Sequence, residues 1–250
     1  MCTRCRNNEA TVFAATSRRH FLLSAGAVAA GLALGAPAFA KDANKGTKAP
    51  PKPQNDIPPD AAMDRLMKGN ARYVEGLSRR HDFKTEREAL VGGQNPYAGI
   101  LSCADSRIAP EYAFDSGRGD LFVCRVAGNF ANDDTVASLE YAVAILNVPM
   151  FLVLGHESCG AVSSTIKSLK DNTTLPGHLP SLVANIAPAV KASMDQPGDL
   201  LQNAIKRNVV DNVAKLKSAT PILSAAVEQG KLKIVGAIYR LGDGKVELIA

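Results

Sequence analysis

The chain has 250 residues, 46% hydrophobic and 21% charged, with no tryptophan and a formal net charge of +5. This is ordinary globular composition with enough apolar material for a sizeable core. The basic excess sits in residues 1–40, which carry Arg4, Arg6, Arg18 and Arg19 against Glu9 alone. Without them 25 basic side chains face 23 acidic ones, so a nucleic-acid partner loses its main electrostatic support and none is expected.

In chain order, residues 1–40 read first as a leader. Ser17-Arg18-Arg19-His20-Phe21-Leu22 precedes an uncharged Ala/Gly/Leu run from Leu23 to Gly35, then Pro37 and Ala38-Phe39-Ala40 before Lys41. Paired arginines, a mildly apolar stretch and an A-x-A site resemble a twin-arginine export signal cleaved after Ala40. The apolar run is shorter than a spanning helix needs, so the expectation is a periplasmic product with no stable membrane anchor once the signal is removed. Cys2 and Cys5 leave with the leader, and Cys103, Cys124 and Cys159 remain. Cys124, between Val123 and Arg125, reads as a small buried hydrophobe. Because the twin-arginine route carries folded proteins, a metal loaded before export is consistent with it.

Residues 41–59 form a Pro/Lys-rich linker, expected to be extended or disordered. A helix capped by Asp60 follows, through Met63, Leu66, Met67 and Tyr73, and a short one covers Thr85 to Val91. The centre alternates strands and helices. Gly99 to Cys103 and Asp120 to Val126 read as strands, Asp133 or Asp134 opens a helix reaching Leu146, and Pro149 to Gly155 is a near-continuous apolar strand. Ser158 is placed to cap a helix over Ala161 to Leu169. From Leu179 to Gln229 the chain is mostly helical, with a break near Pro197-Gly198. Lys231 to Tyr239 is the fourth strand, Gly242-Asp243-Gly244 a hairpin turn, and Lys245 to Ile249 a terminal strand. The fold class is therefore α/β: a mainly parallel central sheet of four strands plus a C-terminal antiparallel edge strand, flanked by helices, with an N-terminal helical arm. No internal repeat is present, and residues 60–250 read as one α/β domain.

Two short segments hold most of the chemistry. Cys103-Ala104-Asp105-Ser106-Arg107 and His156-Glu157-Ser158-Cys159-Gly160 follow two predicted parallel strands, whose carboxyl ends gather ligand-binding groups. Cys103, Asp105, His156 and Cys159 offer thiolate, carboxylate, imidazole and thiolate, a set suited to a tetrahedral borderline-soft ion such as Zn2+. Asp105 either ligates the metal or pairs with Arg107, and the second arrangement leaves a coordination position open. His81 and His178 show no ligand spacing and read as surface residues, His178 being a weak proton-shuttle candidate.

Taken together, in this order and after predicted strands, these segments resemble the β-class carbonic anhydrases. Supporting them are Gly119-Asp120-Leu121-Phe122, Arg125-Val126-Ala127-Gly128-Asn129 and the Gly155-to-Gly160 segment. The resemblance spans roughly Asp60 to the C-terminus. It implies that Cys103, His156 and Cys159 hold one Zn2+ per chain, with Asp105 as a releasable fourth ligand that Arg107 grips in the active form. It also implies reversible hydration of carbon dioxide to bicarbonate by zinc-bound hydroxide, Asp105 and Arg107 being the catalytic pair. In carbonic anhydrases with three histidine ligands the bound water has a pKa of about 7, and two thiolates should raise it somewhat. Gln94, Phe122 and Tyr141 match the family's substrate pocket, Gln94 as a donor to bicarbonate and the aromatics as the carbon dioxide wall. Ile100 stands where a regulated subclass has tryptophan, so bicarbonate regulation of that kind is not expected. Pockets in the family are completed by neighbouring subunits, which implies a homodimer or a dimer of dimers. Two other readings stay open: hydrolysis of carbonyl sulfide or carbon disulfide at the same site, and a non-catalytic zinc-stabilised scaffold.

Overall fold

A computed structural model of the chain describes residues 51–250, all within one compact unit. The leader, Cys2, Cys5, His20 and the first part of the linker lie outside the described residues. Five strands make one sheet: β1 (Ala98–Ser102), β2 (Leu121–Arg125), β3 (Met150–His156), β4 (Lys233–Tyr239) and β5 (Val246–Leu248). Their order is β2-β1-β3-β4-β5, with β1 to β4 parallel and β5 antiparallel to β4, as the sequence predicts.

The apolar runs explain the centre. Every residue of β1 and β3 is buried, as expected of parallel strands covered on both faces. Alternation then divides the core in two. Leu101, Phe151 and Val153 join one apolar cluster, whereas Ile100, Met150, Leu152 and Leu154 join another. The second is covered by α1 (Pro59–Val74) through Ala62, Met63 and Leu66, and by the short α3 (Pro110–Ala113). The N-terminal helical arm thus packs on its own sheet, whereas α2 (Phe83–Ala89) buries no residue.

The first cluster is covered by α4 (Asp133–Ala144), α5 (Gly160–Lys170), α6 (Leu179–Lys191), α7 (Leu200–Lys217) and α8 (Ile222–Glu228). Helix α7 seats deeply because the sheet presents glycine to it. A Cβ at Gly155 or at Gly236 would come within 2.6 Å of a Val209 methyl group. None of the helices among the described residues is long and apolar enough to cross a membrane.

Several local expectations are corrected. Helix α1 starts on Pro59, whose fixed φ and missing N–H suit the first helical turn, with Pro58 rather than Asp60 as its N-cap. Asp82 caps α2 and moves it two residues earlier, and the Asn132–Thr135 capping box opens α4 ahead of Asp133. The cap of α5 is Cys159, because Ser158 takes a left-handed φ of 52°. Strand β4 begins at Lys233 rather than Lys231. Cys124 is only half-buried, since β2 is an edge strand.

The linker differs most. Its described part, residues 51–59, includes a 3-10 turn at Pro53–Asn55 that buries Asn55. Asp120, also buried, accepts hydrogen bonds from Lys52 Nζ at 2.8 Å and Asn55 Nδ2 at 3.0 Å. Asn55 donates to the Asn95 carbonyl and Asn95 to that of Lys52. Residues 52–55 are a strap tied across the domain, not a free tether.

Candidate metal centre

Parallel pairing of β1 with β3 sets the site. Cys103 immediately follows β1 and His156 ends β3, so both project from the carboxyl edge of neighbouring strands. Cys159 comes three residues later at the N-cap of α5. One ligand atom from each of Cys103, His156 and Cys159 lies within 4.8 Å of the others, and all three residues are buried. The sulfurs of Cys103 and Cys159 are 4.0 Å apart. Two 2.3 Å bonds at a tetrahedral angle span about 3.8 Å, so the pair fits zinc without rearrangement.

The histidine is prepared for the same role. Its Nδ1 lies 2.8 Å from the Glu157 carbonyl oxygen, a bond that places the proton on Nδ1 and frees the Nε2 lone pair. Among the described residues only two buried side-chain polar atoms lack a partner, and His156 Nε2 is one of them. An unsatisfied group of this kind costs about 1–3 kcal/mol, which a metal bond offsets. Two thiols and one unpartnered imidazole nitrogen that converge are a donor set for zinc.

The surroundings favour negative charge on sulfur. The Cys159 thiol bonds to the Cys103 sulfur and lowers the Cys103 pKa, burial opposing it. The same contact pushes Cys159 upward. Beyond the pair, Gly128 N–H donates to Cys103 Sγ at 3.3 Å, and Cys159 sits over the first amides of α5.

Asp105 is placed beside this triad and held by Arg107. Arg107 Nε donates to Oδ1 at 2.9 Å and Nη2 to Oδ2 at 2.7 Å, a bidentate grip joined by the Arg107 backbone N–H at 3.0 Å. Those bonds hold the Asp105 carboxyl far below the usual carboxylate range. Its Oδ2 stands 3.9 Å from His156 Nε2. The structure therefore shows the paired arrangement of Asp105, at the mouth of the three-ligand cluster.

Gln94, Phe122 and Tyr141 are placed elsewhere. Phe122 pairs with Gly99, four residues before Cys103, or about 13 Å back along the sheet at 3.3 Å per residue. Its ring lies 6.4 Å from that of Tyr141, which is 48% exposed. Phe122 belongs to β2, which among the described residues has no neighbour on its outer side, and Tyr141 belongs to α4. Gln94 is exposed in the turn before β1. These three are not gathered around the chain's own Cys103, His156 and Cys159. A cavity of about 920 Å³ involving Tyr73, Arg79, His81, Tyr112 and Asp115 includes none of the predicted site residues. His81 is half-buried and pairs with Glu86, against the surface reading, while His178 is exposed.

Some supporting residues carried no role in the sequence reading. Arg125 donates to the carbonyls of Cys103, Asp105 and Ile108, stitching the ligand loop in place. Glu157 receives Arg240 Nη1 at 2.7 Å and the Leu241 N–H at 3.0 Å, fixing the backbone beside His156. Glu157 lies inside a segment already marked for its ligands, and Arg125 opens one quoted only for the family resemblance.

Comparison with known proteins agrees with this geometry. A family model described as carbonic anhydrase matches residues 98–246. Carbonic anhydrase 2 of Mycobacterium tuberculosis is 39% identical over 191 residues, covering 76% of this chain and 92% of that protein. The carbonic anhydrase of Synechococcus elongatus is 34% identical, with 70% of each chain covered. Among solved structures, the β-carbonic anhydrase CcaA aligns with a TM-score of 0.59 at 29% identity, over 75% of this chain and 95% of that one. Tetrameric β-carbonic anhydrases of Sordaria macrospora share the fold at a TM-score of 0.58 and 23% identity, over 76% of this chain and 98% of the matched one.

Proposed function

Given that this chain belongs to the β-class carbonic anhydrases, we propose that it hydrates carbon dioxide reversibly at a zinc ion held by Cys103, His156 and Cys159. The single observation that carries this reading is the bidentate Asp105–Arg107 pair beside three converging ligand atoms. A purely structural zinc has no use for a carboxylate held just outside its ligand set. When bound, the metal supplies a Lewis acid that makes water acidic enough to be a nucleophile near neutrality.

The chain's own groups do the rest. Arg107 keeps Asp105 ionised and turned away from the ligand atoms. Asp105 then accepts a hydrogen bond from the attacking oxygen at its Oδ2 and aims that oxygen at the carbon of carbon dioxide. The bicarbonate product needs a polar donor and an apolar wall, which Gln94 with Phe122 and Tyr141 provide. Because Phe122 sits about 13 Å along the sheet from Cys103, it serves the site of a neighbouring copy. The open β2 edge and the exposed Tyr141 ring support a homodimer joined there. The leader motif supports export through the twin-arginine route to the periplasm.

The test is stopped-flow hydration of carbon dioxide with metal analysis of the same sample, with carbonyl sulfide and carbon disulfide as competing substrates. About one zinc per chain and hydration outpacing both sulfur substrates support the proposal. A zinc-loaded protein that leaves carbon dioxide untouched refutes it.

A further inference from the structure

Helix α7 carries a row of polar residues where its neighbours are core. Ile205, Val209, Val213 and Leu216 are buried, and so are Asn208 and Asn212. Both asparagines face the loop that follows β2. Asn208 Nδ2 donates to the Gly128 carbonyl at 2.8 Å, and Asn212 Oδ1 accepts from the Ala131 N–H at 2.7 Å. Asn212 Nδ2 also donates to the Asn208 carbonyl and, at 3.2 Å, to Asn208 Oδ1. That last bond orients the Asn208 amide, so its NH2 group must point at Gly128.

Gly128 is the residue whose N–H donates to Cys103 Sγ. It takes a φ of +89°, and a Cβ there would meet Ile186 Cδ1 at 2.5 Å. The loop thus needs glycine at this position and has little packing freedom. Its direction at residue 128 depends on what holds the carbonyl on one side and presents the amide on the other. A lost Asn208 donor would leave the Gly128 carbonyl without the side-chain partner that holds it.

We propose that Asn208, oriented by Asn212, is a positioning residue that aims the Gly128 N–H at the Cys103 sulfur and so sets how strongly that thiolate donates to the metal. It rests on the metal reading above, and extends it to a helix that contributes no ligand. An N–H donor draws electron density from a thiolate. Without it, the sulfur lone pairs rise in energy and the ligand loses a contact that fixes its direction.

The experiment uses full-length Asn208→Leu and, in case the first does not fold, Asn208→Ser. Val213→Ala serves as a destabilised control on the same helix. Each protein is loaded with cobalt(II) to read the thiolate-to-metal charge-transfer band, and with zinc to read retention against a chelator at pH 7. In the Asn208 variants the band should move to longer wavelength, and zinc affinity should fall about 10-fold or more. Val213→Ala should match the wild type in both. Wild-type band and retention in the Asn208 variants, or an equal change in Val213→Ala, overturns the assignment. A wild-type protein that takes up neither metal overturns the metal centre itself and this inference with it.

Discussion

Replacing Asp120 with asparagine should unfold the strap without changing the size of the side chain. The Asp120 side chain is 9% exposed and faces Lys52 Nζ at 2.8 Å and Arg65 Nη2 at 3.5 Å. It also accepts from Asn55 Nδ2 at 3.0 Å and the Gly117 N–H at 2.8 Å. Asparagine keeps one acceptor, removes the charge and turns an NH2 toward a donor. Breaking a fully buried pair costs about 3–5 kcal/mol, and an exposed pair is worth 0–1. Lys52 and Arg65 retain some access to water, which places the loss at about 2–3 kcal/mol, or roughly 5–10 °C in Tm. Burial pushes the Asp120 pKa up, but the bonds from Lys52 and Asn55 more than reverse this, so the folded value is lowered. Stability from a lowered carboxylate is complete above its unfolded pKa of about 3.9 and disappears as pH falls through the folded value. Urea unfolding at fixed protein concentration should therefore show the full gap at pH 7, closing as the pH drops below about 4. A loss under 1 kcal/mol at pH 7, or a gap that ignores pH, would refute the reasoning.

Three other outcomes follow from the site. Cys159→Ser should lose bound zinc on dialysis, read by elemental analysis, because a hydroxyl is a poor replacement for one of three protein ligands. Asp105→Ala should keep its zinc and lose about 100-fold or more in carbon dioxide hydration, since general-base positions contribute about 10²–10⁴. Tyr141→Asp, which puts a charge on the exposed aromatic beside the β2 edge, should shift the sedimentation coefficient toward monomer and lower activity in parallel.

The Cys103, His156 and Cys159 cluster was legible because its chemistry and its place after apolar strands are both local properties. The parallel sheet was legible for the same reason: β1 and β3 are short apolar runs bounded by turn residues. What escaped depends on distant partners. Lys52 and Asp120 are 68 positions apart, and a Pro/Lys-rich composition says nothing of an acidic group waiting across the fold. Helix α3 spans only four residues, too few for periodicity to register. Ser158 has the composition of a cap, but its left-handed φ hands that position to Cys159. Phe122 and Tyr141 were found as motif residues, while their distance from Cys103 could emerge only from strand register. Asn208 and Asn212 left a readable trace, a pair of amides at i and i+4 within an otherwise apolar helix face.

Two sulfurs 4.0 Å apart are also within easy reach of each other. Closing that gap by about 2 Å would make a disulfide, which oxidising compartments favour and reducing ones prevent. Under the proposed zinc reading, metal and oxidant would compete for the same pair of atoms. A chain that met oxidant with its sulfurs bare would lose the site, whereas bound metal would protect them.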